Sequence, residues 1–415
     1  MSLKRNEFRM YQRTIHKTLL ILYFLLSYNR VEGQKKLSKL EDVELEKQLK
    51  ILNKPAVKTV KTKYGDTYDC IDFYKQRAFD HPLLKDHNFH PKMKPTLSRI
   101  KKDSTFSSTT NRSSTIWSKD GGCPFGTIPV KRITKDDLIR LNRMPPPEDV
   151  TFDNEYDVSN NNSRPNGRYI SSQVYKVAIT QISYNPNNKF AGAGMDTTVY
   201  NPQVNGQQHS GSRLKIHKGS DIVQAGWRVD PTLYGDTNTR LFIHFQAGEI
   251  RCFNTLCPGF VQVNHDIPLD NSLNDTISVR GGKLWGLVVH IERDLSGNWW
   301  FLLRKDFTRI GFWPQSLFTD LKSFATNVDW GGVVYSPSGV PKPPMGSSYF
   351  PIENTSYDSY CTDLAIVNEK GKTIEVDTTV THTDNPYRGE FKLLSRGTQN
   401  KYFFIYGGPG ESTHV

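Results

Sequence analysis

Several common signatures of metal, cofactor and nucleophile sites are missing from this 415-residue chain. No CxxC pair occurs and the histidines show no ligand spacing, which argues against a zinc site. No G-x-S-x-G motif marks a nucleophile elbow, and no glycine-rich phosphate loop is visible. The sequence therefore predicts neither a metal ion nor a cofactor.

A basic stripe is also lacking, although the formal net charge is +12. Residues 1–150 carry 30 Lys and Arg against 17 Asp and Glu, whereas residues 151–415 carry 24 against 25. The excess positive charge thus belongs to the N-terminal part, and the large C-terminal part is close to neutral. Without a basic stripe a protein does not follow a phosphate backbone, so nucleic acid is not a predicted partner.

Long apolar runs are scarce as well. Residues 18–28 form an apolar run behind five basic residues, and this run is too short to span a bilayer. A basic flank before a short apolar core is typical of a secretory signal peptide, here residues 1–33, with an uncleaved anchor as the alternative. We therefore expect a secreted, extracellular protein with no stable membrane span after signal cleavage.

Sequons and cysteines fit that compartment. Asn-x-Ser/Thr sequons, which predict glycosylation, occur at Asn111, Asn161, Asn274 and Asn354. Five cysteines in an oxidising compartment predict two disulfides and one leftover thiol. A disulfide between Cys252 and Cys257 would close a single turn and stabilise the fold by about 2 kcal/mol through loop-closure entropy. A disulfide between Cys70 and Cys123 would close a longer loop, with a stabilisation of about 4 kcal/mol.

Periodicity divides the rest of the chain. Apolar residues at three- and four-residue steps predict a helix over residues 36–60, within a mixed α/β domain at 34–145. Three prolines at 145–147 and an Asn-rich run predict a linker at 146–169. Residues 170–415 alternate with period two between turn signals, which indicates an all-β antiparallel sandwich or barrel.

Longer motifs carry a family resemblance. The stretch at 220–259 contains IVQAGW, RLFIHF and CFNTLCPG, and VDWGGVVYS follows at 328–336. YDCIDFYKQRAFDHPLL and CPFGTIPVKR precede them, and YFFIYGGPG lies near the end. These motifs resemble the neprosin family of plant-type secreted glutamic peptidases, with an activation segment at the N-terminus. The resemblance implies a sandwich of two curved antiparallel sheets and activity in acid near proline. It also implies a cysteine after GGPG, where this chain reads GESTHV, so Cys361 is the expected leftover thiol.

Both positions at which the resemblance places a catalytic glutamate are substituted. Gln224 stands in QAGW where the family reads EAGW, and Val333 stands in WGGV where it reads WGGE. Hydrolysis without a metal or nucleophile needs a group that takes a proton from water and another that donates one. Glutamine can donate and accept hydrogen bonds but cannot shuttle a proton, and valine can do neither.

Other residues are candidates for the same groove. Alternation along the strand puts Gln224 and Arg228 on one face, and the remaining groove candidates are Asp329, Trp330 and Tyr335. A carboxylate from elsewhere could replace the missing base, with Asp329, Glu292 and Glu249 as candidates.

The sequence thus favours a catalytically degenerate, neprosin-like protein that keeps a peptidase-type groove for a peptide or cell-wall ligand. Its own N-terminal domain is a second expected partner. Two alternatives stay open, an active acid endopeptidase that cleaves near proline and a cell-wall carbohydrate-binding sandwich.

Overall fold

A computed structural model describes residues 39–96, 121–146, 148, 151–153, 168–170, 173–396 and 399–411 of the chain. The expected signal peptide and the sequons at Asn111 and Asn161 lie outside these residues. The chain divides into a compact unit at 1–50 and a second at 51–415. Among the described residues, no helix is both long and apolar enough to cross a membrane.

The helix predicted for residues 36–60 is shorter in the structure. Helix α1 spans Lys39–Leu52, and strand β1 begins at Ala56. Pro55 disfavours helical geometry in the residue before it, which ends the helix upstream. Asn53 then binds the backbone of Ile133, donating to its carbonyl at 2.7 Å and accepting from its amide at 2.9 Å.

A small antiparallel sheet forms the rest of the N-terminal segment, by which we mean residues 51–141. Its strands are β1 (Ala56–Lys61), β2 (Thr67–Asp72) and β3 (Thr127–Lys131), in that spatial order. Helix α2 (Lys135–Leu141) follows, with a capping box in which Thr134 and Asp137 bind each other's backbone amides. The mixed α/β character predicted for this region is confirmed.

The remaining strands are, in chain order, β4 (Thr151–Asp153), β5 (Arg168–Ile170), β6 (Tyr175–Gln181), β7 (Phe190–Thr198), β8 (His209–Lys218), β9 (Asp221–Val229), β10 (Thr239–Ala247), β11 (Ile250–Phe253), β12 (Val261–Gln262), β13 (Gly286–Arg293), β14 (Trp299–Leu303), β15 (Thr308–Trp313), β16 (Asn327–Tyr335), β17 (Ser359–Asn368), β18 (Thr373–Glu375), β19 (Val380–Thr383), β20 (Arg388–Arg396) and β21 (Gln399–Gly407). A short helix, α3 (Pro231–Tyr234), links β9 to β10.

These strands form two large antiparallel sheets. The seven-stranded sheet has the order β11-β10-β9-β8-β16-β6-β19. The nine-stranded sheet has the order β12-β15-β14-β13-β7-β17-β21-β20, with β18 beside β17. Strands β4 and β5 pair only with each other.

One apolar core joins the two large sheets. Val223 and Ile243 of the seven-stranded sheet pack in the same buried cluster as Val289, Ile291 and Phe301 of the nine-stranded sheet. Apolar side chains at every second position bury one face of each strand. The predicted all-β antiparallel sandwich is confirmed.

The N-terminal segment docks on this sandwich through apolar and charged contacts. Phe73 and Ile128 share a buried cluster with Trp300 and Phe312, whose side chains leave the nine-stranded sheet on the side away from the core. A bidentate ion pair adds to this, because Arg240 reaches both carboxylate oxygens of Asp66 at 3.0 Å. Tyr68 also donates to Asp270 at 2.7 Å.

Both expected disulfides are present, Cys70–Cys123 and Cys252–Cys257. The first lies within the N-terminal segment and the second closes the turn after β11. Cys361 is a free, buried thiol, and burial raises its pKa to about 11. A buried thiol with a raised pKa is a poor nucleophile.

Candidate functional site

Gln224 and Val333 lie on one face of the seven-stranded sheet, the side that points away from the core, which we call the outer face. Along β9 the neighbours Val223 and Ala225 enter the core, so Gln224 and Arg228 point the other way. Val333 of β16 packs in a separate apolar cluster outside the core. Each of the two side chains is only 4% exposed, so this face is covered by other parts of the chain.

Strand register fixes the arrangement of the outer face. Gln224 lies opposite Lys215 of β8, and Lys215 lies opposite Asp329 of β16. Two residues further along each strand, Arg213 of β8 lies between Gly226 and Gly331.

Val333 belongs to the next row on the same face. It lies opposite Gly211 of β8, which in turn lies opposite Arg228 of β9. One strand, β8, and one row therefore lie between Gln224 and Val333, and Arg213 is the β8 residue of that middle row. Glycine stands at both cross-strand neighbours of Arg213, where an added Cβ would meet backbone atoms of the adjacent strands. Gly331 also has φ +132°, a conformation that L-residues with a side chain rarely adopt.

Val333 contributes an apolar surface to this face. It clusters with Val177 and Ile179 of β6 and with Tyr335, next to it on β16. Tyr335 stacks on the imidazole of His209, with the ring centroids 5.2 Å apart. Tyr335, a predicted groove candidate, thus lies on the same face as Val333.

Three carboxylates were expected as possible replacements for the missing base, and only Asp329 lies on the outer face. Glu292 belongs to β13 in the other sheet and is 2% exposed. Glu249 is exposed in the hairpin between β10 and β11. The Asp329 carboxylate forms a buried ion pair with the Arg213 guanidinium, which binds one of its two oxygens.

The expectation that Trp330 lines the groove is wrong. Trp330 is 0% exposed within the core between the sheets, and its Nε1 donates to the Gly194 carbonyl at 3.2 Å. Alternation along β16 explains the error, because Asp329 and Tyr335 share one parity while Trp330 has the other.

Arg228 lies on the outer face, as expected, and belongs to a buried polar cluster. Its guanidinium donates to Asp230 at 2.7 Å and to His209 Nδ1 at 2.9 Å. Asp230 in turn accepts from the amides of Thr232 and Leu233 at the start of α3, at 3.0 Å each. These contacts orient Arg228 and tie the end of β9 to α3.

Sequence reasoning missed Glu148, which lies on the outer face although it is remote in sequence. Its carboxylate accepts from Arg213 at 2.5 and 3.2 Å and from Lys215 at 3.4 Å. Burial alone would raise the Glu148 pKa, but the charges of Arg213 and Lys215 outweigh it and hold that pKa below its usual range. Two residues earlier, the Pro146 carbonyl accepts from the Tyr175 hydroxyl at 2.6 Å.

The remaining expected site residues are at the surface. Asn274 and Asn354, the two sequons within the described residues, are both exposed. Glycosylation of these residues stays a prediction. In the described part of the chain, no group of three or more His, Cys, Asp or Glu is arranged to hold a metal ion.

His244, opposite Gln224 on β10, makes the outer face sensitive to acid. Burial and the nearby Arg228 charge lower its pKa to about 3. The folded protein keeps His244 neutral while the unfolded chain protonates it below about pH 6.5, so stability falls as the pH drops from 6.5 toward 3. Between pH 6.5 and 5 the loss through His244 is about 2 kcal/mol. Urea unfolding is expected to show that His244→Gln loses less stability than the native protein over this range.

Asp270 also titrates in this pH range and has to be taken into account in that experiment. Burial raises the pKa of its carboxyl to about 6, which changes stability in the opposite sense as the pH falls. This contribution is the same in both proteins and cancels in the comparison. Parallel pH profiles for the two proteins would contradict a neutral, buried His244.

Comparison with known proteins identifies the family. The neprosin family model matches residues 206–409, and the model for the neprosin activation peptide matches residues 59–181. The chain belongs to the neprosin family. Glu148 and Pro146 lie within the match to the activation peptide, whereas Gln224, Val333 and Arg213 lie within the other match.

Similar solved structures include two peptidases and a β-porphyranase. Scytalido-glutamic peptidase with a peptide-based transition-state analogue is 9% identical, with 57% of this chain and 97% of that chain covered and a TM-score of 0.29. SCP-B, an Eqolisin-family peptidase in complex with the tripeptide Ala-Ile-His, is 7% identical, with 56% and 96% covered and a TM-score of 0.28. The β-porphyranase BpGH16B from Bacteroides plebeius is 7% identical, with 41% and 68% covered and a TM-score of 0.18. The family assignment rests on the two family models alone.

Proposed function

We propose that this chain is a secreted, non-catalytic, peptide-binding member of the neprosin family. The observation that carries the proposal is the composition of the outer face at the two positions where the family resemblance places a catalytic glutamate. Gln224 and Val333 stand there, and neither can take up or release a proton in water attack on a peptide.

The surroundings of these positions support the loss of catalysis. Asp329 is the carboxylate that β16 contributes to this face, and Arg213 binds it. The β8 residue midway between Gln224 and Val333 in the strand register is Arg213. A guanidinium stays protonated throughout the working pH range and cannot act as a general base.

Peptide binding is supported by what already lies on the face. The Pro146 carbonyl accepts from Tyr175, and the Glu148 side chain is held by Arg213. A side chain from this segment thus lies at Arg213, between the substituted residues, and a main-chain acceptor of the same segment lies at Tyr175, one row beyond Val333 on β6.

The experiment that tests this proposal is a peptidase assay on the native protein and on Gln224→Glu/Val333→Glu. A proline-containing peptide is incubated with each protein from about pH 3 to pH 7, and cleavage is followed by mass spectrometry. We expect no turnover by the native protein and, in the double variant, a gain of about 100-fold or more over background, since each lost acid or base typically removes about 10²–10⁴ in rate. The Arg213 charge is expected to lower the pKa of both introduced carboxyls and move the optimum toward acid.

Glu148 has to be controlled in the same experiment because it occupies Arg213. Each protein is therefore also assayed with the additional substitution Glu148→Ala. This substitution removes the carboxylate from Arg213 and leaves residues 224 and 333 as they are. Turnover by the native protein or by Glu148→Ala alone would contradict a non-catalytic role. An inert double variant in both backgrounds would show that the two substitutions are not the reason for inactivity.

A further inference from the structure

We propose that Arg213 and Lys215 form a carboxylate-binding site on the outer face, occupied in cis by Glu148, that accepts a carboxylate of a peptide ligand. This inference rests on the proposed function and deepens it, because it names the chemical group by which the same face would recognise a peptide.

The contacts of Glu148 are those of a carboxylate in a preformed binding site. Arg213 engages both carboxylate oxygens, with Nη2 at 2.5 Å from Oε1 and Nε at 3.2 Å from Oε2. Such paired N–H donors match the planar geometry of a carboxylate and are among the strong hydrogen bonds in proteins. Lys215 adds a third contact to Oε1 at 3.4 Å.

Arg213 is held in position independently of Glu148. Its Nη1 donates to Asp329 on the adjacent strand β16, so the guanidinium plane is fixed from the other side. The Arg213 side chain is 0% exposed and that of Lys215 is 3% exposed. Two long cationic side chains fixed in this way lose little freedom when a ligand binds, which favours affinity.

Charge balance explains why the occupant has to be an anion. Arg213 and Lys215 carry two positive charges, and Asp329 and Glu148 carry two negative ones. When Glu148 leaves, Arg213 and Lys215 each lose an anionic contact in a covered position. Removing one member of a buried charge cluster is unfavourable, so the site selects a replacement carboxylate over a neutral group.

The position of the site favours a peptide as the source of that carboxylate. Arg213 lies midway between Gln224 and Val333, the positions that the family uses to act on a peptide chain. The present occupant is itself a peptide segment, with the Pro146 carbonyl bound to Tyr175 two residues before Glu148. A peptide ligand would therefore place a main-chain carbonyl at Tyr175 and an acidic side chain or its C-terminal carboxylate at Arg213.

Calorimetric titration of full-length protein tests the inference with three matched peptides. All are N-acetylated and differ only in carboxylate content: one central Glu with an amidated C-terminus, Gln with a free C-terminus, and Gln with an amidated C-terminus. We expect Glu148→Ala to bind one of the first two at least about tenfold more tightly than the native protein does, and at least about tenfold more tightly than the third peptide. The better of the first two peptides identifies a side-chain or a C-terminal carboxylate.

Two further variants separate the site from a general change in the fold. Glu148→Ala/Lys215→Met is expected to lose much of the gained affinity, because one cation of the site is gone while Arg213 keeps its pair with Asp329. Glu148→Gln keeps the shape of the occupant and is expected to show less gain than Glu148→Ala. In a test without peptides, acetate is expected to raise the melting temperature of Glu148→Ala more than chloride does at the same ionic strength. The difference between acetate and chloride is expected to be smaller for Glu148→Ala/Lys215→Met.

Each contrary outcome has a distinct meaning. Equal binding of all three peptides by Glu148→Ala would overturn the carboxylate site and leave peptide binding intact. Binding of none of them, with no selective effect of acetate, would overturn the inference together with peptide binding. Binding of oligogalacturonate but of no peptide would assign the site to an acidic polysaccharide and overturn the peptide ligand. Loss of catalysis is judged separately, by the peptidase assay.

Discussion

Replacing Arg213 with methionine is expected to lower the free energy of unfolding by about 3–5 kcal/mol. The reason is the carboxylates that remain, since Asp329 and Glu148 both pair with Arg213 and the Asp329 side chain is only 2% exposed. Removing one partner of a buried ion pair leaves an uncompensated charge, which costs more than the pair itself contributes. Urea unfolding at neutral pH measures the effect.

The matched control removes the stranded charge as well. Arg213→Met/Asp329→Asn is expected to recover a large part of the loss, because the carboxylate that then remains beside the missing guanidinium is Glu148, which keeps its contact with Lys215. Lys215→Met serves as a second control, since it leaves the pair between Arg213 and Asp329 in place. A loss below about 1 kcal/mol for Arg213→Met would mean that water already reaches this part of the outer face.

Replacing Trp330 with alanine is expected to cost about 3–5 kcal/mol, the usual range for removing a large aromatic side chain from a core. Trp330 is fully buried between the two sheets and donates a hydrogen bond to the Gly194 carbonyl, so both packing and one hydrogen bond are lost. A tryptophan that lined a ligand groove would instead affect binding more than stability. Urea unfolding together with peptide titration distinguishes a core tryptophan from a groove-lining one.

Trp285 provides the comparison for Trp330. It precedes β13 and is partly exposed, with the Lys283 ammonium 3.9 Å from its ring centroid. Trp285→Ala is expected to lose much less stability than Trp330→Ala, because a partly solvated ring leaves no closed cavity. Similar losses for the two variants would contradict the placement of Trp330 within the core.

The sandwich and the orientation of its strands were predictable because they depend on local alternation. The period of two in IVQAGWRV put Gln224 and Arg228 on one face and Val223 on the other, as the structure has them. The same rule applied to VDWGGVVYS would have separated Trp330 from Asp329. That information was present in the sequence, and the error came from grouping residues by chemical type across both faces.

The position of Arg213 could not be predicted in the same way. Its parity on β8 is visible in SGSRLKIHK, but its place between Gln224 and Val333 depends on the register of β8 with β16, more than a hundred residues further along the chain. Such pairing is set by the packing of the whole sheet. Glu148 was still less accessible, because the segment around it was predicted as a linker and carries no periodic pattern that would indicate a partner.

The anchoring of helix α2 determines how the carboxylate site could be vacated. The Nε of Arg140, at the end of α2, donates to the Thr232 carbonyl at 3.1 Å, and Glu148 follows Leu141 by only seven residues. After a cut anywhere beyond Asp153, Glu148 would therefore stay tethered to helix α2 by a segment of about 25 Å at most. A group tethered at this length keeps an effective concentration in the millimolar range. Cleavage of the chain there would not allow a weakly binding ligand to displace Glu148 from the carboxylate site. The whole N-terminal segment, with its Asp66–Arg240 pair and its apolar contacts, would have to come off the sandwich first.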